Sequence, residues 1–469
     1  MIMDTAALWP TVIELCTEIR RLGGTAYVVG GAARDLSIAE QSGIPVDLKD
    51  VDIEVFGIEP NFLEAALSQR WRIDVVGKTF GIIKLHGLPI DISVPRRERK
   101  IGVRHSDFAI DADPTMTVEE AAARRDFTIN AISFDPLHER WVDPYNGRQA
   151  ILDKVLDPVT DRFKEDSLRV LRGMQFIARF DLTPTPRCLE MCRELSQDNL
   201  PKERLFEEWK KLLLRGKAIR KALYFLRDIG WLERFYPELF ALIGSQQHPQ
   251  WHPEGDVFEH TALVTEAFTR GTFVDDEEKL VLGLASLCHD MGKPETAVFG
   301  PTKKNPEPHW TNHNHEHHTA PAERFLARLT NELKLVQKVL AVCRAHMAPS
   351  SYYRNGATLE AFRRLAIRVP IPQLVKMLRF DQGGRGPTMP PDETMIAWFE
   401  GEAARAGVRH EKPKPFVLGR DLIERFKYPS GPKMGKLLDT LMEKQLAGEF
   451  ATKEDGLTIA AQLIHEESN

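Results

Sequence analysis

Val28-Val29-Gly30-Gly31-Ala32-Ala33-Arg34-Asp35, followed by Lys49-Asp50-Val51-Asp52-Ile53-Glu54, is the stretch on which the fold turns. A β-branched run enters a Gly-Gly turn and then an alanine-rich segment with helical character. Two glycines let the backbone approach a ligand closely, and the first turn of a helix offers free N–H groups to phosphate. Alone, such a turn is more often only a turn. The second segment adds weight, because strand alternation puts Asp50 and Asp52 on one face. Two carboxylates so placed repel unless a cation lies between them. The pair is either a solvated strand end or a Mg²⁺ site, since hard divalent ions take carboxylate oxygens and keep positions open for substrate phosphates. Asp91, in Pro89-Ile90-Asp91-Ile92, is a candidate third carboxylate.

Outward from this stretch, residues 1 to about 150 mix strand and helix. Tyr27–Gly30, Asp52–Phe56, Gly81–Leu85 and Pro89–Val94 read as strands, and Met1–Arg21 and Asn61–Arg70 as helices. From about residue 160 the spacing turns helical. Glu165–Phe180, Lys202–Arg215, Lys217–Asp228, Asp276–His289 and Ala320–His346 carry apolar residues at three- and four-residue intervals. Pro-rich breaks separate them, and no internal repeat is evident.

The chain has 469 residues, enough for about three domains. Its 42% hydrophobic and 28% charged residues suit a globular protein. No apolar run approaches the ~20 residues needed to span a bilayer, and Met1–Arg20 lacks a basic leader pattern, so a cytoplasmic location is expected. Five scattered cysteines do not make a disulfide framework, and Cys188 with Cys192 lacks the second pair a structural zinc would need. A net charge of −5 excludes a uniformly basic nucleic-acid binder. Local excess remains at Val94–Arg104 and at Lys412–Lys436, the latter with seven basic residues against Asp421 and Glu424. Each is equally readable as a solvated face.

Gly-Gly-x-x-Arg-Asp, Asp-x-Asp, Arg124-Arg125-Asp126-Phe127-Thr128-Ile129-Asn130-Ala131, Asp143-Pro144-Tyr145-Asn146-Gly147 and Glu165-Asp166-Ser167-Leu168-Arg169-Val170-Leu171-Arg172 occur in that order. Together they resemble the class II tRNA nucleotidyltransferases, the CCA-adding enzymes and their bacterial poly(A) polymerase relatives, over residues 25 to about 245. The resemblance implies an α/β nucleotidyltransferase head with a polymerase-β-like sheet (1–150), a helical neck (151–245), a helical body (246–390) and a basic tail contacting tRNA (391–469). It also implies that Asp50 and Asp52 bind catalytic Mg²⁺. Gly31 and Arg34 would hold the nucleotide, Arg125 and Asp126 its sugar and phosphates, with Asn130 in support. CTP, ATP and tRNA are the implied partners. No membrane or obligate protein partner is evident.

Asp166, Arg169 and Arg172 are spaced by three and are expected on one helix face. Cytosine and adenine both present an amino group beside an unprotonated ring nitrogen, whereas uracil and guanine reverse that pattern. An Asp acceptor beside an Arg donor therefore takes C and A, and leaves buried groups unpaired against U and G. Without the upstream motifs the same spacing is only a surface ion pair of ~0.3 kcal/mol. Two positions depart from the family pattern: Gln175 stands where a third arginine is usual, and Ala121 where an acid is. Arg96–Glu120 is read as a full-length connecting loop, which argues against a CC-only enzyme. It leaves an A-adding-only enzyme or a poly(A) polymerase as the nearest alternative.

Ten of the fifteen histidines lie between His248 and His346. A lone histidine is usually a core residue. The order His260, His289-Asp290, Asp381 instead resembles an HD phosphohydrolase, with His315 and His346 as further ligands of a two-metal form. Imidazole and carboxylate ligands suit a divalent transition metal such as Ni, Mn, Co or Fe. Such a site would hydrolyse phosphoesters. The alternative of another class is an HD hydrolase whose head only binds RNA.

Overall fold

The computed structural model describes residues 5–46, 48–76, 82–100, 108–198, 200–303 and 305–468. The chain divides into two compact units, Met1–Phe235 and Tyr236–Asn469. In the first, Thr25–Val29 (β1), Val51–Phe56 (β2), Ile73–Val76 (β3), Ile82–Leu85 (β4), Ile90–Ser93 (β5), Arg96–Lys100 (β6), Phe108–Ala112 (β7), Ser133–Asp135 (β8) and Arg140–Val142 (β9) are the head strands. Seven make one sheet, ordered β3-β4-β5-β2-β1-β8-β9. Only β2 and β5 run parallel within it.

Alternation along β2 decides what the sheet buries. Val51, Ile53 and Val55 are fully buried with Val28, Ile90 and Ile92, against Val12, Leu15 and Ile19 of the helix Thr5–Arg21. Each such side chain contributes roughly 1.5–3 kcal/mol by leaving water. Asp52 and Glu54 take the opposite face. Register sets Asp52 across from Val29 on β1 and from Asp91 on β5.

Several sequence expectations need correction. Gly30 ends no strand; it opens the helix Gly30–Ser42. Residues 1–4 of the first expected helix and Gly81 of the third expected strand lie outside the described residues. Strands β3, β8 and β9 were not anticipated, being only three or four residues long. The expected loop Arg96–Glu120 contains the antiparallel pair β6 and β7 and the helix Val118–Ala122; its residues 101–107 lie outside the described set. Thr117 and Glu120 close a reciprocal capping box on that helix.

In the neck, Leu168–Phe180 packs against Lys202–Arg215 and Ile219–Asp228 through Val170, Met174, Ile177, Trp209 and Leu213. This helix begins three residues later than its apolar spacing suggests. Asp166 is extended, and its Oδ1 accepts the Leu168 N–H at 2.9 Å. A short carboxylate that satisfies a helix-end N–H favours the boundary over the interior. Asp166 therefore stands ahead of the helix that carries Arg169 and Arg172.

The second unit is helical apart from the short antiparallel pair Val298–Gly300 and His309–Thr311. Val257–Thr269, Asp276–Cys288, Leu333–Ala345 and Ile371–Gly383 form its central group. Asp256 and Asp275 cap the first two through the N–H groups of Glu259 and Glu278. The run Ala320–His346, expected as one helix, is two: Thr330 is extended, and its hydroxyl takes the Glu332 N–H at 3.1 Å. The C-terminal helices Gly419–Phe426, Pro432–Ala447 and Lys453–Ser468 share a small apolar core around Leu422, Leu437 and Leu441. Among the described residues no helix is long and apolar enough to cross a membrane.

Candidate active site and metal centre

In the first unit, one cavity of roughly 1000 Å³ is lined by Gly30, Gly31, Arg34, Asp50, Asp52, Arg125, Asp126, Asp166, Arg169 and Arg172. The nine candidate metal and nucleotide residues of the head and neck meet there with Asn130, while Asp91 is not among the lining residues. Gly30 has φ +64, and a Cβ on it would stand 3.3 Å from Asp52 Oδ2 and 3.4 Å from Arg125 Nη1. Only glycine combines that backbone with that approach. Val29, at the N-cap of Gly30–Ser42, supplies no side-chain cap, so the first N–H groups of the helix are left for a ligand.

Asp52 is ringed by charge. Partial desolvation in the cavity raises its carboxyl pKa, Arg125 pulls the other way, and Asp50, Asp91 and Glu54 raise it further. Arg125 also pairs with Glu54 at 3.3 Å. Crowded carboxylates beside open cavity are the donor set a hard divalent cation takes, so Asp50 and Asp52 fit Mg²⁺. Asp91 is in register with Asp52, but its carboxylate is held by Lys84 at 2.6 Å.

A buried chain of bonds stiffens the cavity wall. Arg34 donates to Asn130 Oδ1 at 2.7 Å, Asn130 to Asp126 Oδ1 at 3.0 Å, and Arg172 Nε to Asp126 Oδ2 at 2.6 Å. Despite complete burial, Arg172 and Asn130 hold Asp126 below the usual carboxylate range. Arg34 also stacks on Phe180, 4.6 Å from the ring centre. Arg169 donates to the carbonyls of Arg162 and Arg124, both at 2.8 Å, which fixes its guanidinium. Asp166 Oδ2 accepts from Arg204 at 3.0 Å.

In the second unit, His260, His289, Asp290, His315, His346 and Asp381 gather in the interior, and all six are buried. His260 comes from the first turn of Val257–Thr269, His289-Asp290 from the end of Asp276–Cys288, and His346 from the end of Leu333–Ala345. Candidate ligand atoms of His260, His289 and Asp381 lie within 4.8 Å of one another, as do those of Asp290, His315 and His346. Asp290 is the hub: His315 Nε2 is 3.1 Å from Oδ1, His289 Nε2 3.2 Å and Lys293 Nζ 2.7 Å from Oδ2. Among the described residues neither carboxylate oxygen nor His289 Nε2 finds a hydrogen-bond partner of good geometry. His315 Nε2 faces His346 Nε2 at 3.3 Å. Buried imidazole nitrogens and carboxylate oxygens that converge with His289 Nε2 and both Asp290 oxygens left unsatisfied fit a divalent transition metal. Burial and the neighbouring imidazoles push His346 down to about 3, which keeps it neutral for ligation.

Comparison with known proteins follows this geometry. A family described as "Poly A polymerase head domain" matches residues 26–157, and one described as "Probable RNA and SrmB- binding site of polymerase A" matches residues 181–243. A multifunctional CCA protein of Xylella fastidiosa (strain 9a5c) is 32% identical over 374 residues, covering 77% of this chain and 84% of that protein. One from Stenotrophomonas maltophilia (strain R551-3) is 34% identical over 373 residues, covering 76% and 86%. The chain belongs to the class II CCA-adding enzyme family. As a member it is a tRNA nucleotidyltransferase. The crystal structure of the Bacillus stearothermophilus CCA-adding enzyme in complex with CTP covers 97% of each chain with a TM-score of 0.63. At 20% identity that likeness speaks for the shared fold: a mixed-sheet head followed by helices.

In this CCA-adding family member, the sequence reading passed over several cavity residues. Arg179, Arg204, Lys211, Arg215 and Lys217 line the same cavity. The signal available was spacing: Arg204, Lys211 and Arg215 stand seven and four apart on one helix. In the body, Gln247, His252, Glu254 and Lys293 were also passed over. Lys293 follows His289-Asp290 by three residues, within reach of that pair on a turn.

Proposed function

We propose that the head adds C, C and A to the 3′ end of tRNA from CTP and ATP, without a nucleic-acid template. The tRNA 3′-oxygen attacks the α-phosphorus, the bond from that phosphorus to the β-phosphate oxygen breaks, and pyrophosphate leaves. Asp50 and Asp52 would hold Mg²⁺, which supplies an acidified hydroxyl and charge neutralisation on the phosphates. Gly31 and the uncapped helix end, with Arg34 and Arg125, cradle the triphosphate. Asp126 and Asn130 keep Arg34 and Arg172 in place. Asp166 accepts the amino group of C or A, and Arg169 donates to the adjacent ring nitrogen. The observation that carries this reading is one cavity joining a carboxylate pair, an open helix N-terminus and the Asp166–Arg169 pair.

The body, 246–390, is read as an HD-type phosphohydrolase using a divalent transition metal (Ni, Mn, Co or Fe) on His260, His289, Asp290 and Asp381, with His315 and His346 on a second ion. Its reaction class is phosphodiester or phosphomonoester hydrolysis. The tail, 391–469, contacts tRNA phosphates through its basic residues, a contact that weakens with salt. The whole acts in the cytoplasm.

The match to a poly(A) polymerase head favours a second reading, an A-adding-only enzyme or a poly(A) polymerase on the same fold. Incorporation with CTP as the sole nucleotide separates the two. Two cytidines on a tRNA lacking its 3′ end support CCA addition; no incorporation of C supports the second reading.

A further inference from the structure

Upstream of the helix Val257–Thr269 the chain reads His252-Pro253-Glu254-Gly255-Asp256. Asp256 is pinned at the helix start, where Oδ1 takes the Glu259 N–H at 2.8 Å and Oδ2 the Gly244 N–H at 2.7 Å. Gly255, at φ +126, turns the chain just before it, in a conformation L side chains rarely adopt. The turn brings Glu254 back onto His260, with its side chain 2% exposed. Glu254 Oε1 lies 2.6 Å from His260 Nδ1 and 2.9 Å from His252 Nδ1. On the far edge of the same imidazole, His260 Nε2 is 3.0 Å from Asp381 Oδ1 and 3.6 Å from Asp290 Oδ2.

Glu254 thus stands at the Nδ1 edge of the ring, where its carboxylate converges with His252 and His260, while Asp381 meets the ring at Nε2. Among the described residues its buried Oε2 has no hydrogen-bond partner, a costly placement for a carboxylate that only fills space. The same segment reaches the cluster a second time: Gln247 Nε2 donates to the Gly255 carbonyl at 3.4 Å, and Gln247 Oε1 accepts from Lys293 Nζ at 2.6 Å. Lys293 Nζ is the group 2.7 Å from Asp290.

We propose that Glu254 is a positioning residue of the body's metal centre: it takes the Nδ1–H of His260 and so aims Nε2 at the ion, while His252 covers the carboxylate. The proposal rests on the metal reading of the body given above. A carboxylate behind a ligand imidazole fixes its tautomer and orientation, and losing such a partner typically costs about 10–100-fold in metal affinity.

The test uses the full chain, stripped with a chelator and titrated with Co²⁺ against a chromophoric competitor. Glu254→Ala is expected to weaken Co²⁺ binding about 10–100-fold and to alter the visible ligand-field bands. Glu254→Gln, whose amide oxygen still accepts from Nδ1–H, should stay close to wild type in both. Incorporation of CTP and ATP by the head should be unchanged in each. Wild-type affinity and spectrum in Glu254→Ala, with binding lost in His289→Ala, overturn the positioning role alone. Wild-type protein binding Co²⁺ no better than His289→Ala overturns the metal reading and this proposal with it.

Discussion

At the scale of single residues, the head cavity gathers charges that cost the fold stability. Asp52 is the clearest case, its carboxyl pKa raised by desolvation and by Asp50, Asp91 and Glu54. A raised carboxyl contributes stability below its unfolded value near ~3.9 and loses it as pH rises through the folded value. Metal-free Asp52→Asn should therefore melt above metal-free wild type at pH 7.5, with the gap closing near pH 4. An equal or lower Tm at pH 7.5 would contradict this electrostatic account. Asp166→Ala should cut kcat/KM for CTP and ATP by about 10²-fold or more, while UTP falls less, since the lost bond serves only C and A. Parallel losses for all three nucleotides would remove Asp166 from base reading. The candidate metal and base-reading positions Asp50, Asp52, Asp166 and Arg169 were legible because their types recur in ordered short motifs. Arg204, which holds Asp166 at 3.0 Å, was not, because a lysine- and arginine-rich helix face looks alike whether it meets solvent or a cavity.

Among the elements, boundaries decide the chemistry more than centres do. The apolar spacing of Leu168–Phe180 was readable, whereas its start was not, because the Asp166 side chain replaces a backbone bond there. Thr330 breaks the Ala320–His346 run by the same kind of competition. Turns also carry the body site. A Cβ on Gly292 would lie 2.5 Å from the His315 carbonyl and 2.7 Å from that of His318, both backbone atoms. Gly292→Ala is expected to destabilise the body by about 1–3 kcal/mol and to weaken Co²⁺ binding by displacing His315. Urea unfolding followed at the body's tryptophans, with the Co²⁺ titration, checks both. Unchanged unfolding would contradict the close backbone packing assigned to this turn.

Across the whole molecule, two compact units carry two separate clusters of chemistry. The α/β-then-helical order could be read from the shift of hydrophobic period near residue 160, and the seven-strand order could not, since strand pairing depends on contacts far apart in the chain. Separate clusters predict separable metal requirements. Protein stripped by a chelator and resupplied with Mg²⁺ should regain nucleotide incorporation, while phosphoester hydrolysis should return only with a transition metal. Recovery of both with Mg²⁺ alone would count against a transition-metal body site. The most direct measurement of the central reading is extension of a labelled tRNA lacking its 3′ end, with CTP, ATP and Mg²⁺, resolved at single-nucleotide length. Extension by C, C and A, abolished in both Asp50→Ala and Asp52→Ala, is the result expected of this cavity. Extension that survives either substitution, or none by the wild type, would contradict it.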